Sequence, residues 1–255
     1  MRTSGVRVAI AIVLSVCFVM RAAASTVLVF LSPQEAVIAT DSLSNRVEGG
    51  GPRLVCKIAQ VSDHMLFAST GIGVAEYPPF DPYALAKISS TNSRTPREAA
   101  LKYASAALGP LQRVWRIARA RYLKIQKESG PEAKGVPHPQ SFVFVGLDQN
   151  GNIAAVGSDF VEDSSTPHKL RAEDLQEFTA KNSYSFVSLG VRGSVPSAEV
   201  IDAWIYKDKI GAPAALKRGI EEQIGATPKL VGPPISIVRL SRDGSLQWVS
   251  RGVCK

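Results

Sequence analysis

The chain has 255 residues, of which 45% are hydrophobic and 20% charged, an ordinary balance for a globular protein and enough for one sizeable domain or two small ones. Its formal charge of +8 overstates the basic character, because Arg2, Arg7 and Arg21 fall in the first 24 residues and the remainder carries +5. No segment after residue 24 is long and apolar enough to read as a transmembrane helix, for which about 20 residues are needed.

Residues 1–24 read as a signal peptide. Arg2 and Arg7 form a positive start, Val8 to Met20 is a short apolar run, and Ala22, Ala23 and Ala24 make a small-residue cleavage site. A retained membrane anchor is the alternative, and Cys17, following Val16 inside the apolar run, makes a poor lipoprotein site. Removal of the segment by signal peptidase leaves 25–255 as a single exported domain, periplasmic or extracellular, that begins at Ser25.

Thr26 to Leu31 reads as a strand, Ser32 to Glu35 as a turn with proline at a favoured position, and Ala36 to Asp41 as the returning strand. A Gly-rich connection from Glu48 to Pro52 leads to a strand from Leu54 to Val61, a turn at Ser62 to His64, and a strand from Met65 to Thr70. Thr95, Pro96 and Glu98 form a helix start, with cap, proline at the first helical position and capping-box glutamate. The helical region extends to Glu128 in two pieces, interrupted near Gly109 and Pro110. Residues 130–139 form a Pro/Gly-rich loop.

Strands resume at Ser141 to Leu147, Ile153 to Phe160 and Tyr184 to Leu189. Helices follow at Ser197 to Tyr206 and Pro213 to Ile224, then strands at Ile235 to Leu240 and Leu246 to Val249. Strands, two helices, strands, two helices and strands again predict an α+β fold with two sheets sandwiched between helical layers.

Within the helical region, Leu111, Val114, Trp115, Ala118, Tyr122 and Ile125 recur at helical spacing, while Arg113, Arg116, Arg121, Lys124 and Lys127 point largely elsewhere. Such a face reads as the solvated side of a core-packed helix, and no nucleic-acid partner is expected. Outside the signal segment the cysteines are Cys56 and Cys254. An exported protein permits a disulfide between them, which would staple the C-terminus to an early strand; two buried thiols are the other reading. His64, His138 and His168 have no companions at metal-ligand spacing, and Gly71-Ile72-Gly73 is too short for a dinucleotide motif, so neither metal nor cofactor is expected.

Hairpin register brings some residues together. If the first turn pairs Leu31 with Ala36, Thr26 faces Asp41 and Ser25 faces Ser42. In the second hairpin, pairing Val61 with Met65 puts Lys57 opposite Ser69, with Gly71 just beyond. Taken singly, Asp41 could cap a turn, Lys57 could be a half-buried lysine, and Gly71 could serve a bend.

Together these residues resemble a family. The runs S-T-V-L-V-F, A-V-I-A-T-D-S, C-K-I-A-Q-V and F-A-S-T-G-I-G are similar to the proteasome β-subunit branch of the N-terminal nucleophile (Ntn) hydrolases. That family has an N-terminal threonine followed 16 residues on by aspartate, 32 on by lysine and 46 on by glycine. Counted from Ser25, those positions are Asp41, Lys57 and Gly71 without a gap. F-V-F-V-G-L-D-Q-N-G, S-L-G-V-R-G-S-V-P-S-A-E-V-I-D-A-W and V-G-P-P-I-S-I-V-R-L-S-R-D-G extend the likeness, more weakly, over most of the chain.

The resemblance implies a four-layer αββα sandwich, the proteasome-subunit-like Ntn-hydrolase fold, and a hydrolase or peptidase that cleaves peptides or small amides through an acyl-enzyme on Ser25. In that chemistry the α-amine, with an ordinary pKa of about 8, takes the hydroxyl proton. Lys57 keeps the amine neutral, Asp41 fixes Lys57, and the Gly71 N–H donates to the oxyanion. A homo-oligomer is compatible with the family. Three features depart from it. Serine replaces threonine, with Thr26 as alternative nucleophile. The accessory serine and aspartate positions fall near Val191 and Pro228 to Val231, which supply neither. Leu43 replaces a common arginine. A catalytically inactive relative, serving binding or assembly, is therefore the alternative function.

Overall fold

In the computed structural model the described residues are 25–44, 53–128, 138–181, 183–190, 195–228 and 230–254. The expected signal segment, the Gly-rich connection, most of the Pro/Gly-rich loop and Val191 lie outside them.

β1 (Thr26–Leu31) and β2 (Glu35–Thr40) pair with Leu31 opposite Ala36 and Val27 opposite Thr40. Ser32 closes the turn: its N–H donates to Glu35 O at 2.8 Å, and its Oγ accepts the Glu35 N–H at 3.1 Å. β11 (Ser185–Gly190) flanks β1, β12 (Ser236–Ser241) flanks β2, and β13 (Leu246–Ser250) completes an antiparallel sheet ordered β11-β1-β2-β12-β13.

The second sheet is built from β5 (Ile58–Ser62), β6 (Met65–Gly71), β7 (Gln140–Leu147), β8 (Ile153–Glu162) and β10 (Gln176–Thr179), in the antiparallel order β10-β8-β7-β6-β5. β9 (Leu170–Ala172) also pairs with β8. A small ladder of β3 (Leu43–Ser44) and β4 (Arg53–Leu54) leads from the first sheet into the second. A bulge between Gln60 and Ser62 puts Ser62, not Val61, opposite Met65. The extra residue is absorbed at the turn, so Ile58 still faces Ala68, and the Ser69 N–H reaches Lys57 O at 3.4 Å.

Side-chain alternation sorts the strands' apolar residues into three cores. Val27, Val29, Leu31 and Ile38 meet Leu66, Ala68, Val143 and Ala155 between the two sheets. Leu28, Phe30, Val37 and Ala39 face the other way, onto helices α3 (Ala198–Asp202) and α4 (Ala212–Ala226). Phe67, Phe142, Phe144 and Phe160 pack against α1 (Pro82–Ser90) and α2 (Pro96–Glu128). The protein is thus a mixed α and β structure with antiparallel sheets.

Several elements differ from the sequence expectation. α2 runs unbroken for 33 residues through Pro110. An internal proline costs about 3 kcal/mol, but Leu111, Val114 and Trp115 are fully buried just after it, and each such side chain contributes about 1.5–3 kcal/mol. Packing therefore outweighs the break. The Thr95 cap forms, accepting the Glu98 N–H at 3.3 Å, while Glu98 reaches back to the Arg94 N–H at 2.8 Å. α1 was not expected; Asp81 starts it, accepting the Tyr83 and Ala84 N–H groups, with Pro82 leading the first turn. α3 continues as a π-helical turn over Ala203–Lys207.

Candidate active site

Asp41 follows β2 and is wholly buried, and its carboxylate receives four donors. Oδ1 accepts the Thr26 N–H at 2.8 Å and the Lys57 ammonium at 2.7 Å. Oδ2 accepts the N–H groups of Leu43 at 3.1 Å and Gly232 at 3.2 Å. Two lone pairs on each oxygen are thereby engaged. The residue after Ser25, the lysine before β5 and the entrance to β12 converge on one side chain.

Lys57 is 3% exposed. Besides Asp41 it donates to Leu43 O. Burial pulls its pKa below the ordinary lysine value, and the charge and hydrogen bond of Asp41 work against that fall. Leu43 thus contributes through its backbone on both sides, its N–H to Asp41 and its carbonyl to Lys57.

Ser25 immediately precedes β1 and is 3% exposed. Thr26 sends its Oγ1 to Gln223 of α4, on the same side as Leu28 and Phe30. Alternation therefore assigns Ser25 to the side of Val27, toward the second sheet. The two candidate nucleophiles point to opposite faces.

Two glycines shape the surroundings. Gly71 has φ +91° and pairs with Gln140, and an added Cβ would overlap Pro139 O. The N–H groups alternate along β6: Ser69 donates toward Lys57, and Ile72 donates to Pro139 O at 2.7 Å. Gly71, between them, directs its N–H to the Lys57 side. Gly190 has φ +104° and lies opposite Thr26, where a Cβ would overlap the Ser25 carbonyl. Ser69, opposite Lys57, also meets Tyr83 of α1, whose hydroxyl is pushed up to about 12, chiefly by burial.

The sequence-predicted residues Asp41 and Lys57 are in direct contact, and Gly71 ends the strand beside them. Gly190, Gln223 and Gly232 were not anticipated, since they reach the site from the last third of the chain. S-L-G, within the stretch already likened to the family, held the one readable signal, for Gly190. Of Pro228 to Val231, Val231 packs in the α4-facing core, and its neighbour Gly232 serves Asp41 through the backbone.

A disulfide joins Cys56, next to Lys57, to Cys254. His138 forms a buried contact with Asp159 at 3.2 Å. Among the described residues no group of three or more His, Cys, Asp or Glu side chains could hold a metal, and no helix is long and apolar enough to cross a membrane. No family model and no curated protein matches the sequence.

Proposed function

We propose that the protein is an exported N-terminal serine hydrolase of the proteasome-like Ntn type, acting on peptide or small amide bonds. The three stacked cores support reading the fold as a four-layer αββα sandwich. The observation that carries the reading is the Asp41 carboxylate, which ties Lys57 and the backbone adjoining Ser25 to a single oxygen.

Once Ser25 begins the chain, its α-amine accepts the Oγ proton and Oγ attacks the substrate carbonyl. The oxyanion takes a hydrogen bond from the Gly71 N–H, a type of contact whose loss costs about 3–4 kcal/mol in transition-state stabilisation. Collapse breaks the C–N bond, the α-ammonium returns the proton to the leaving nitrogen, and an ester on Ser25 remains. Water, deprotonated by the same amine, then releases the acid and regenerates the hydroxyl. Lys57 supplies the neighbouring positive charge that favours a neutral, basic amine. Two of its three N–H groups are held by Asp41 and Leu43, which fixes the position of that charge. Ser25 is the preferred nucleophile because Thr26 turns its hydroxyl to Gln223.

N-terminal sequencing of the exported protein, followed by labelling with an electrophilic amide-hydrolase probe, tests this. The expected result is a chain starting at Ser25, labelled there, with labelling abolished by Ser25→Ala. A start elsewhere, or no labelling of the chain that begins at Ser25, favours the non-catalytic reading.

A further inference from the structure

Pro139 leaves a gap in the ladder beside the candidate oxyanion donor. β6 ends at Gly71, opposite Gln140 at the start of β7, and the next pair across is Ile72 with Pro139. The Ile72 N–H donates to Pro139 O at 2.7 Å. A hydrogen-bonded antiparallel pair exchanges two such bonds, but proline has no N–H with which to return one. The ladder therefore gives the Ile72 carbonyl no donor, although Ile72 is only 3% exposed.

A side chain fills the gap. Gln140 Nε2 donates to Ile72 O at 3.2 Å, and Gln140 Oε1 accepts the hydroxyl of Tyr103 on α2 at 3.0 Å. The amide fits only this way round, because a carbonyl oxygen accepts and so requires the NH2 end. Gln140 and Tyr103 are both wholly buried, and the Tyr103 ring centroid lies 4.7 Å from that of Phe142 and 5.0 Å from that of Phe67. Burial pushes the Tyr103 hydroxyl well above its ordinary pKa, so it stays protonated and donates. Polar groups this deep in an aromatic core are retained only where each has a partner. Here the relay ends on the backbone immediately after Gly71.

Gly71 carries φ +91°, and its N–H points to the Lys57 side. Two anchors set that direction. The Thr70–Ser141 pairing holds the chain before Gly71, and Ile72, gripped at both N–H and carbonyl, holds it after. We infer that Gln140, oriented by Tyr103, is a positioning residue that aims the Gly71 N–H at the oxyanion. It touches no reacting atom. The inference goes beyond the hydrolase reading and rests on it for the oxyanion. Because that charge exists only in the transition state, a misaimed donor should slow acylation without altering the groups that set the amine's basicity.

The test compares the mature protein beginning at Ser25 with Gln140→Leu, Tyr103→Phe and the double variant Pro139→Ala/Gln140→Leu, each checked for folding by thermal melt. Acylation is read as the burst of p-nitrophenolate from p-nitrophenyl acetate that Ser25→Ala abolishes. Gln140→Leu should slow the burst about ten- to a hundredfold and leave its pH profile in place, since Asp41 and Lys57 are untouched. Tyr103→Phe should slow it less. Pro139→Ala returns a backbone N–H opposite Ile72 O and should recover part of the rate lost in Gln140→Leu. Amide hydrogen exchange from Gly71 to Gly73 needs no activity; it should quicken in Gln140→Leu and slow again in the double variant. If Gln140→Leu does not fold, Tyr103→Phe, which loses one hydroxyl, carries the same two readouts. A folded Gln140→Leu with the wild-type burst rate, wild-type exchange or a shifted pH profile overturns the inference, as does a rate that Pro139→Ala fails to raise. These outcomes, with a burst in the wild type, leave the hydrolase reading standing. No burst from the wild type overturns that reading, and the inference with it.

Discussion

Asp41 and Lys57 form a buried ion pair at 2.7 Å, with neither side chain more than 3% exposed. A buried pair of this kind adds little net stability, because desolvation offsets the attraction. Its geometry is nonetheless fully determined, since the carboxylate also accepts three backbone N–H groups, from neighbouring Leu43, from Thr26 at the start of β1 and from distant Gly232. The pair is better understood as a fixed point for the end of β1 than as a stabilising bridge.

Replacing one partner should therefore cost far more than the pair contributes. Asp41→Asn leaves Lys57 buried beside an amide whose NH2 group meets donors, and a loss of about 3–5 kcal/mol is expected. The loss should depend on pH. Burial already holds Lys57 below its ordinary value, and the substitution removes the charge and weakens the hydrogen bond that oppose the fall. The unfolded variant then binds more protons than the folded one between the lowered folded pKa and the ordinary lysine value of 10.5. Stability of the variant should climb with pH across that window, more steeply than for the wild type. Urea unfolding at several pH values measures it, and a loss independent of pH contradicts the account.

Glycine at two positions is demanded by space as well as by φ. Gly190→Ala would drive a methyl into the Ser25 carbonyl, and Gly71→Ala would drive one into Pro139 O. Each should destabilise by more than the roughly 1 kcal/mol usual for a point mutant, and Gly190→Ala should also displace Ser25 and reduce probe labelling. Gly73→Ala is the control, because an added Cβ there meets nothing within 4 Å. Thermal melts of the three variants, with labelling rates, should separate them. Equal behaviour of Gly73→Ala and Gly71→Ala would mean the close approach at Pro139 is unimportant.

The opposite orientations of Ser25 and Thr26 give a test that does not depend on stability. Thr26→Val removes the hydroxyl that meets Gln223 and should cost about 1–3 kcal/mol. Labelling of Ser25 should persist in the molecules that remain folded. Ser25→Ala should do the reverse, sparing the melt and abolishing labelling. Loss of labelling in folded Thr26→Val would move the nucleophile to Thr26.

The two hairpins that build the site were legible because a turn fixes register from within ten residues of itself. Leu31 faces Ala36 as read, and the bulge near Val61 left the Lys57–Ser69 pairing intact because the extra residue is absorbed at the turn. α1 was missed although Asp81 before Pro82 is a cap signal, since its apolar residues do not form a long stripe. Gly232 meets Asp41 from 191 residues away, and Gln223 meets Thr26 from 197. Neither has any local pattern, because only the closing of one sheet and the packing of α4 bring them in. Pro110 misled for the same reason: Leu111, Val114 and Trp115, whose burial overrides it, are its neighbours, but the strand residues in their core, such as Phe142, Phe144 and Phe160, are remote in sequence.

The disulfide is the remaining long-range link, and it adjoins the site. Cys56 and Cys254 are separated by 198 residues, and Cys56 is followed directly by Lys57. Closing so long a loop restricts the unfolded chain, so Cys254→Ala should lower stability by about 2–5 kcal/mol. The same bond anchors the segment from which Lys57 reaches Asp41. Losing it should therefore slow labelling of Ser25 even under conditions where the protein stays folded. Chemical denaturation with and without reductant, alongside labelling rates at low denaturant, distinguishes the two effects. A stability loss with unchanged labelling would make the disulfide a clamp on the fold only. Parallel losses would show that Lys57 needs the tethered C-terminus to hold its place.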